Sequence, residues 1–429
     1  MIEEKFQAVV LGAGESGVGA ALLYQSRGIS VMVSDYGHIA PKYKQELEAN
    51  GIPYEEGSHT TELILRAEEI VKSPGIPEKA PIMVAIRERG IPVISEIELA
   101  GRYLKGKVIG ITGSNGKTTT TMWLHHILTE AGMKPALAGN VGFSLARQVI
   151  PDEQPDYFVV ELSSFQLARA SVLSAAVSVV TNLAPDHIDW HGSYEAYVEA
   201  KARVLSLRAP SGWGVVQDRD VEALGAADAE RLLTLSWSRT PVHRMAGHIF
   251  MDADKASLIR DGAERTLFRY SETSLLGGHN RENVAMSLAV LRILGIDLPA
   301  RDLMEGFAPL PHRCEHAGSV DGVVYVDDSK GTNVAASVTA MTSLEGRKVV
   351  ILGGRGKGED YAPLAEAVAR EADAAVLLGE EREAIADALR KAGFSAIRMA
   401  ENMEEAVLTA RELARPGMTV LLSPACTSW

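Results

Sequence analysis

Short apolar runs that end in glycine or a small polar turn, each followed by a longer segment that reads as a helix, recur along this chain of 429 residues. Strand followed by helix, repeated, predicts an α/β architecture with mostly parallel sheets. The repetition falls into three blocks. In the first, residues 1–95, QAVVLGAGESGVGAALLYQSRG gives a strand, the glycines Gly12, Gly14 and Gly17, and a helix. ISVMVSD then closes on Asp35, PKYKQELEANG reads as a helix, and IVKSPGI reads as a strand ended by Pro74 and Gly75. The second block, 96–298, holds VIGITGSNGKTTTT, the helix TTTTMWLHHILTEAG, and the segments DYFVVELSSFQL, AVSVVTNLAPDHIDWHG and YEAYVEAKARVLSL. Its residues 210–275 alternate irregularly and predict extra strands and turns before the helix GGHNRENVAMSLAVLRILGI. The third, 299–429, places VVYVDDSKGTN, KVVILGGRGKGED, AAVLLGE and MTVLLSPACTSW as strands among alanine-rich helices. The expected fold is a Rossmann-like first domain, a central P-loop-type domain and a second Rossmann-like domain.

Length alone asks for two or three cores, and 46% hydrophobic residues are ample to fill them. With 43 basic against 56 acidic residues the net charge is −13, which argues against nucleic acid or an anionic membrane as the main partner. Any anionic ligand must therefore meet local positive sites. Two cysteines, Cys314 and Cys426, make a disulfide framework unlikely and fit a reducing compartment. MIEEKFQAVVLGAG enters a strand directly, and no run of about 18 apolar residues occurs, so a soluble cytoplasmic protein is expected.

The most informative stretch is residues 108–121, where an apolar strand runs into a glycine-rich turn ending Gly116-Lys117-Thr118. Backbone N–H groups of Gly113, Ser114, Asn115 and Gly116, with the positive end of the next helix, can wrap phosphate oxygens. Lys117 can neutralise β/γ charge, and the Thr118 hydroxyl can ligate Mg²⁺. The full P-loop pattern wants glycine where Ile111 stands, so the loop is a shortened variant. Gly12, Gly14, Gly17 and Asp35 also match a dinucleotide-binding turn, which keeps NAD open alongside some other phosphate or diphosphate. Glu161 closes a strand where a carboxylate commonly faces phosphate-bound magnesium, or simply meets solvent. Asp186, His187, Asp189 and His191 cluster after another strand. His125 and His126 read as packing or surface. Lys201 lies between Glu195, Glu199 and the rest of a charged helix, so a solvated face is its default. Arg313 could clamp a phosphoryl group from a domain hinge, and the loops Asp328–Asn333 and Gly353–Gly358 place lysines at strand ends.

Together these segments resemble the Mur ligases across the whole chain. GSNGKTTT, ELSSFQL, NLAPDHIDWH, EAYVEAKARV, GGHNRENVAMS, PHRCE, DDSKGTN, GGRGKG and SPACTSW fall in that family's order and spacing. The resemblance implies ATP-dependent amide-bond formation joining D-glutamate to UDP-N-acetylmuramoyl-L-alanine through an acyl phosphate, by a monomer. It favours D-glutamate because Asn115 stands where the L-alanine-adding members have histidine and because the Asp-Asn-Pro signature of the diamino-acid-adding members is missing. Folylpolyglutamate synthase would lack the first block. The implied ATP set is Gly113 to Thr119 with Asn280, Asn283, Arg313, Asp328 and Lys330. Thr118 and Glu161 would hold one Mg²⁺, His187 and a carbamylated Lys201 a second. UDP and the muramoyl chain would lie along Gly14, Glu15, Ser16, Gly17, Asp35, Ser73, Gly75, Asn140, Ser163 and His187, and D-glutamate at Thr332, Lys357 and Ser428. This reading sets NAD aside.

Three departures accompany the resemblance. Gly331 stands where alanine is usual and reads as a tolerable backbone change. Trp190 occupies a position where some relatives have arginine. Beyond Trp429 the resemblance implies a phenylalanine-rich helix that helps close over D-glutamate. Competing readings are another amino acid in the same family and a nucleotide sensor that binds ATP without chemistry.

Overall fold

A computed structural model describes residues 5–427 except 228, 274–277, 305, 308–310 and 357. Lys357 and Ser428 therefore lie outside the described residues. Among those described, the strands form three sheets of five, nine and six. The first runs in the order Tyr54–Glu56, Val31–Asp35, Ala8–Leu11, Glu69–Lys72, Val93–Ile94, with every pairing parallel. Ala8–Leu11 is buried throughout, as a strand covered by helices on both faces must be.

The central sheet carries Lys107–Thr112 between Ala175–Val180 and Tyr157–Glu161, all parallel. Arg208–Gln217, Leu232–Ser236 and Gly247–Met251 extend it in parallel, and the hairpin Lys255–Arg260 with Ala263–Arg269 finishes the edge antiparallel. These are the extra strands expected in the irregular stretch. In the third sheet Val323–Asp327, Thr419–Leu422, Lys348–Leu352, Ala372–Leu377 and Ile397–Met399 are parallel, with Glu315–Val320 antiparallel at the edge. The three-domain, mostly parallel α/β fold is as expected.

Apolar packing divides unevenly. One cluster unites Val10, Leu23 and Val33 of the first sheet's layer with Leu145, Val149 and Phe158 of the central one. The third sheet packs its own clusters, around Leu352, Leu377 and Leu389 on one face and Val349, Val376 and Val420 on the other. No helix among the described residues is long and apolar enough to cross a membrane.

Candidate functional site

The strand Lys107–Thr112 lies between two parallel neighbours in its sheet, and the helix Lys117–Glu130 begins after four intervening residues. The turn between them needs glycine twice. Gly113 has φ 139° and a Cβ there would collide with Thr181 Oγ1; Gly116 has φ 81° and a Cβ would press on the Asn283 amide. The turn is pinned from the next strand's end. Asn115 N–H donates to Asn182 Oδ1 at 3.0 Å, Asn182 Nδ2 donates to Asn115 C=O at 2.9 Å, and Ser114 Oγ donates to Ala184 C=O at 2.8 Å. Ser114 Oγ also meets Tyr197 Oη at 2.9 Å. Lys117 Nζ folds over the turn, donating to the Gly113 and Ser114 carbonyls at 2.9 and 2.8 Å. Its charge thus sits on the loop where phosphate oxygens would meet the helix N-terminus.

Glu161 and Lys201 converge on the same turn. Glu161, 1% exposed, accepts from Asn140 Nδ2 at 2.9 Å on Oε1, while its buried Oε2 has no hydrogen-bond partner among the described residues. A buried carboxylate oxygen without a donor is costly unless a cation completes it. Lys201 is 2% exposed, donates to Gly113 C=O at 2.7 Å and lies over the Tyr197 ring at 4.7 Å. The solvated-face default is therefore wrong for Lys201. Glu195 and Glu199 do face outward, but Tyr197, Lys201, Val204 and Leu205 share the buried stripe of the helix Tyr194–Ser206. Burial, with Lys117 nearby, holds its ammonium well below the ordinary lysine pKa against the opposing pull of Asp186 and Glu161.

His187 has φ 53°, its N–H donates to Asp186 Oδ1 at 3.0 Å, and its ring meets Phe165 edge-on at 5.0 Å. His191 instead packs on Phe165 and contacts Ser164 Oγ at 2.9 Å, away from a ligand role. Lys117, Thr118, Asn140, Glu161, Ser163, His187 and Lys201 line one cleft together with Arg313, Lys330 and Thr332 from the third domain. Ser163 also caps the short helix Ser164–Leu167 with Gln166. Arg313 Nη2 reaches Thr118 Oγ1 at 3.1 Å, and Asn333 Nδ2 reaches Asn115 Oδ1 at 3.1 Å. An adjoining cavity shares Asn115, Gly116, Arg313 and Lys330 and is lined by Thr119, His279, Asn280, Asn283, Asp328 and Trp237. Burial pushes the His279 imidazole down to about 4 and the Cys314 thiol up to about 12, so neither brings charge there near neutrality. Asp328 is pushed up to about 6 by burial, moderated by the Ser423 hydroxyl.

Gly331, which stands where alanine is usual, has no room for a side chain. A Cβ there would run into Asp328 Oδ2 and Ser423 Oγ, which are themselves bonded at 2.6 Å. The first-domain set lies apart from this cleft, at the carboxyl edge of its own sheet. Asp35 accepts the N–H groups of Ala13 and Gly37 at 2.6 and 2.8 Å, tying the glycine turn to the next strand. Ser73 fills the space beside Gly12, the Gly17 Cα packs against the Gly12 carbonyl, and Glu15 pairs with Arg147 Nε at 2.8 Å. Tyr197, Asn182 and Asn333 were not singled out from the sequence. For Tyr197 the signal was its i, i+4 spacing to Lys201. Thr118, Glu161 and His187 offer a hydroxyl, a carboxylate and an imidazole, and the orphaned Glu161 oxygen makes the set fit a hard divalent cation.

Residues 6–95 match the Mur ligase MurD-like N-terminal domain, 111–291 the Mur ligase middle domain and 312–426 the Mur ligase, glutamate ligase domain. The chain is 43% identical over 432 residues to a UDP-N-acetylmuramoylalanine–D-glutamate ligase of Porphyromonas gingivalis, covering 99% of this chain and 95% of that one. It is 39% identical to the enzyme of the same name from Bacteroides fragilis, over 98% and 95%. In fold it is similar to the UDP-N-acetylmuramate–alanine ligase of Thermotoga maritima, with TM-score 0.60 at 19% identity over 98% and 96%. A pseudomurein peptide ligase type C of Methanothermus fervidus gives 0.63 at 20% over 98% and 97%.

Proposed function

The chain belongs to the Mur ligase family, whose members form peptide bonds at the expense of ATP in peptidoglycan synthesis, and from that premise we propose how its residues divide the work. The chain joins D-glutamate to UDP-N-acetylmuramoyl-L-alanine. The observation that carries the assignment of roles is the convergence of Glu161, Lys201 and Arg313, from two domains, on the single turn 113–118.

A carboxylate is inert toward an amine, so it must first be activated. The alanyl carboxylate oxygen attacks the γ-phosphorus in line, the bond to the β-phosphate oxygen breaks, and ADP leaves an acyl phosphate behind. The amine of D-glutamate, having lost its ammonium proton, then attacks the acyl carbon and expels phosphate. Gly113 to Thr119 cradle the triphosphate, Lys117 meets the charge that develops on the transferring group, and Asn280 and Asn283 lie near the base. Arg313, Asp328 and Lys330 close from the third domain and exclude water that would hydrolyse the intermediate. Magnesium, held at Thr118 and Glu161 and at His187 and Lys201, would offset the repulsion between carboxylate and triphosphate.

Lys201 takes part as a carbamate. Burial lowers its pKa and so favours the neutral amine, which adds to CO₂ with loss of a proton and becomes an anionic oxygen ligand. Thr332 grips D-glutamate, with Lys357 and Ser428 beyond the described residues. Gly14, Glu15, Ser16, Gly17, Asp35, Ser73, Gly75, Asn140 and Ser163 carry the UDP-linked substrate. The domains are 1–95, 96–298 and 299–429, and the protein works as a cytoplasmic monomer. Phosphate release with ATP, Mg²⁺, UDP-N-acetylmuramoyl-L-alanine and a panel of amino acids tests the function. Release with D-glutamate alone is expected. Release with another amino acid reassigns the substrate, and ATP binding without release in any mixture returns the sensor reading.

A further inference from the structure

We propose that His312 and Asp327 form a positioning pair that aims Arg313 across the domain junction at the phosphate loop. The inference rests on the reading of Arg313 as a phosphate-site residue. Among the described residues six non-glycine positions have positive φ, and two of them, His312 at 63° and Cys314 at 47°, bracket Arg313. Left-handed backbone at a non-glycine residue persists only where its surroundings over-determine it. Two such residues on either side of a single arginine mark a turn that its contacts hold.

What holds them is the loop that also carries Lys330. His312 Nδ1 meets Asp327 Oδ2 at 2.7 Å, and the next aspartate, Asp328, accepts the Cys314 N–H on Oδ1 at 3.2 Å. The His312 N–H donates to Glu315 Oε2 at 2.7 Å, and its carbonyl accepts the Lys330 N–H at 3.2 Å. Consecutive aspartates thus fasten the residues on either side of Arg313, whose guanidinium then reaches Thr118 Oγ1 at 3.1 Å. Glu315 and Asp327 both spend carboxylate oxygens on His312, so the trio is a clamp. The His312 side chain is 55% exposed, so the pair adds little to folding stability. What it sets is the direction of a turn. A guanidinium displaced by a small distance loses its hold on a transferring phosphoryl group, and the rate falls steeply.

The test is steady-state kinetics of His312→Ala, Asp327→Ala and His312→Asn, in the wild type and in an Arg313→Lys background, with melting measured alongside. His312→Ala and Asp327→Ala should each lower kcat about tenfold, with the KM for the UDP substrate and the melting temperature nearly unchanged. His312→Asn should recover most of the loss, because asparagine tolerates left-handed φ and offers Nδ2 where histidine offers Nδ1. In the Arg313→Lys background His312→Ala should cost less than about twofold more, since the pair acts through Arg313. The same loss in both backgrounds, no rescue by asparagine, or a loss that follows a fall in melting temperature overturns the proposal. If Arg313→Lys keeps wild-type kcat, the reading of Arg313 itself falls. If Arg313→Lys is impaired while His312→Ala and Asp327→Ala are not, only the positioning pair is wrong.

Discussion

Where the first domain meets the central one, Arg147 spans Glu46, with Nη2 at 2.7 Å from Oε2, and Glu15, while Arg27 donates to the Val149 carbonyl at 2.9 Å. Beneath those bonds an apolar cluster runs without a break from Val10 and Leu23 to Leu145 and Phe158. Where the third domain meets the central one, the polar contacts described are Arg313 to Thr118 and Asn333 to Asn115 and Asp186, and, apart from Ala300, Leu303, Met304 and Phe307, which pack into the central core, the apolar clusters stay on their own sides. An apolar junction resists opening in proportion to the surface it hides, whereas a polar one exchanges its bonds for water at little cost. The first two domains share one buried core. The third meets the central one at the phosphate loop through polar contacts that can exchange with water.

The largest effect should leave both junctions alone. Lys117→Ala removes the charge on the loop and is expected to cost about 3 kcal/mol of transition-state stabilisation, about a hundredfold in turnover, with melting and UDP-substrate binding nearly unchanged. Turnover near wild type in a phosphate-release assay would separate the loop from the chemistry.

The fused junction can be probed through Glu96, which is buried and accepts the Ala146 N–H at 2.6 Å. Burial, together with Glu15, pushes its carboxyl from 4.5 up to about 7. Folding raises this pKa, so the folded state keeps a proton that the unfolded chain has already lost. Its protonation therefore supports the fold below about 4.5, and stability falls as pH rises from there to about 7. Glu96→Gln should remove that slope and make the chain more stable at pH 8, by at most about 3 kcal/mol. Denaturant melts at pH 4 and pH 8 check it; an unchanged slope would mean the junction is wetter than its packing implies.

A gentler break is Gly19→Ala. The new Cβ would collide with Ser144 Oγ on the facing helix, and overpacking should outweigh the gain in helix propensity, leaving a net loss of about 1 kcal/mol. A rise in melting temperature would show that the helices have room to spare.

The smallest effect belongs to the polar junction. Asn333 caps the helix Val334–Ser343 through Oδ1, bonded by the Ala336 N–H at 2.8 Å, and faces Asp186 with Nδ2. Asn333→Asp keeps the cap but sets a carboxylate against Asp186. Stability should hold within about 0.5 kcal/mol while kcat/KM for ATP drops about threefold, roughly 0.7 kcal/mol. A loss of stability without a loss of activity would reverse the contrast between the junctions.

Legibility in the sequence followed the same divide between local and long-range causes. The glycine turn with Lys117 and Thr118, and Glu161 at a strand end, are local patterns, and each stands where strand–turn–helix logic puts it. Read from its neighbours alone, Lys201 defaulted to a solvated face because its glutamate neighbours are conspicuous, whereas the apolar stripe of Tyr197 and Val204 that carries it inward is set by helical period, and only the family resemblance had placed it in the site. The crowding that suits glycine at position 331 was not legible, because it comes from Asp328 and from Ser423, a residue far along the chain. Asn333 was legible only as a helix cap, and the pairing of Asn182 and Asn333 with Asn115 was not, because Asn115 lies in another segment. The asymmetry of the two junctions was invisible for the same reason.

The most direct test of the account follows an oxygen atom. UDP-N-acetylmuramoyl-L-alanine carrying ¹⁸O in its alanyl carboxylate is turned over with ATP and D-glutamate, and the released phosphate is weighed by mass spectrometry. One ¹⁸O in each phosphate is predicted, because the carboxylate oxygen that attacks the γ-phosphorus leaves with it. Phosphate without label, alongside an amide product formed at the same rate, would contradict activation of the carboxylate by phosphoryl transfer at the Lys117 loop.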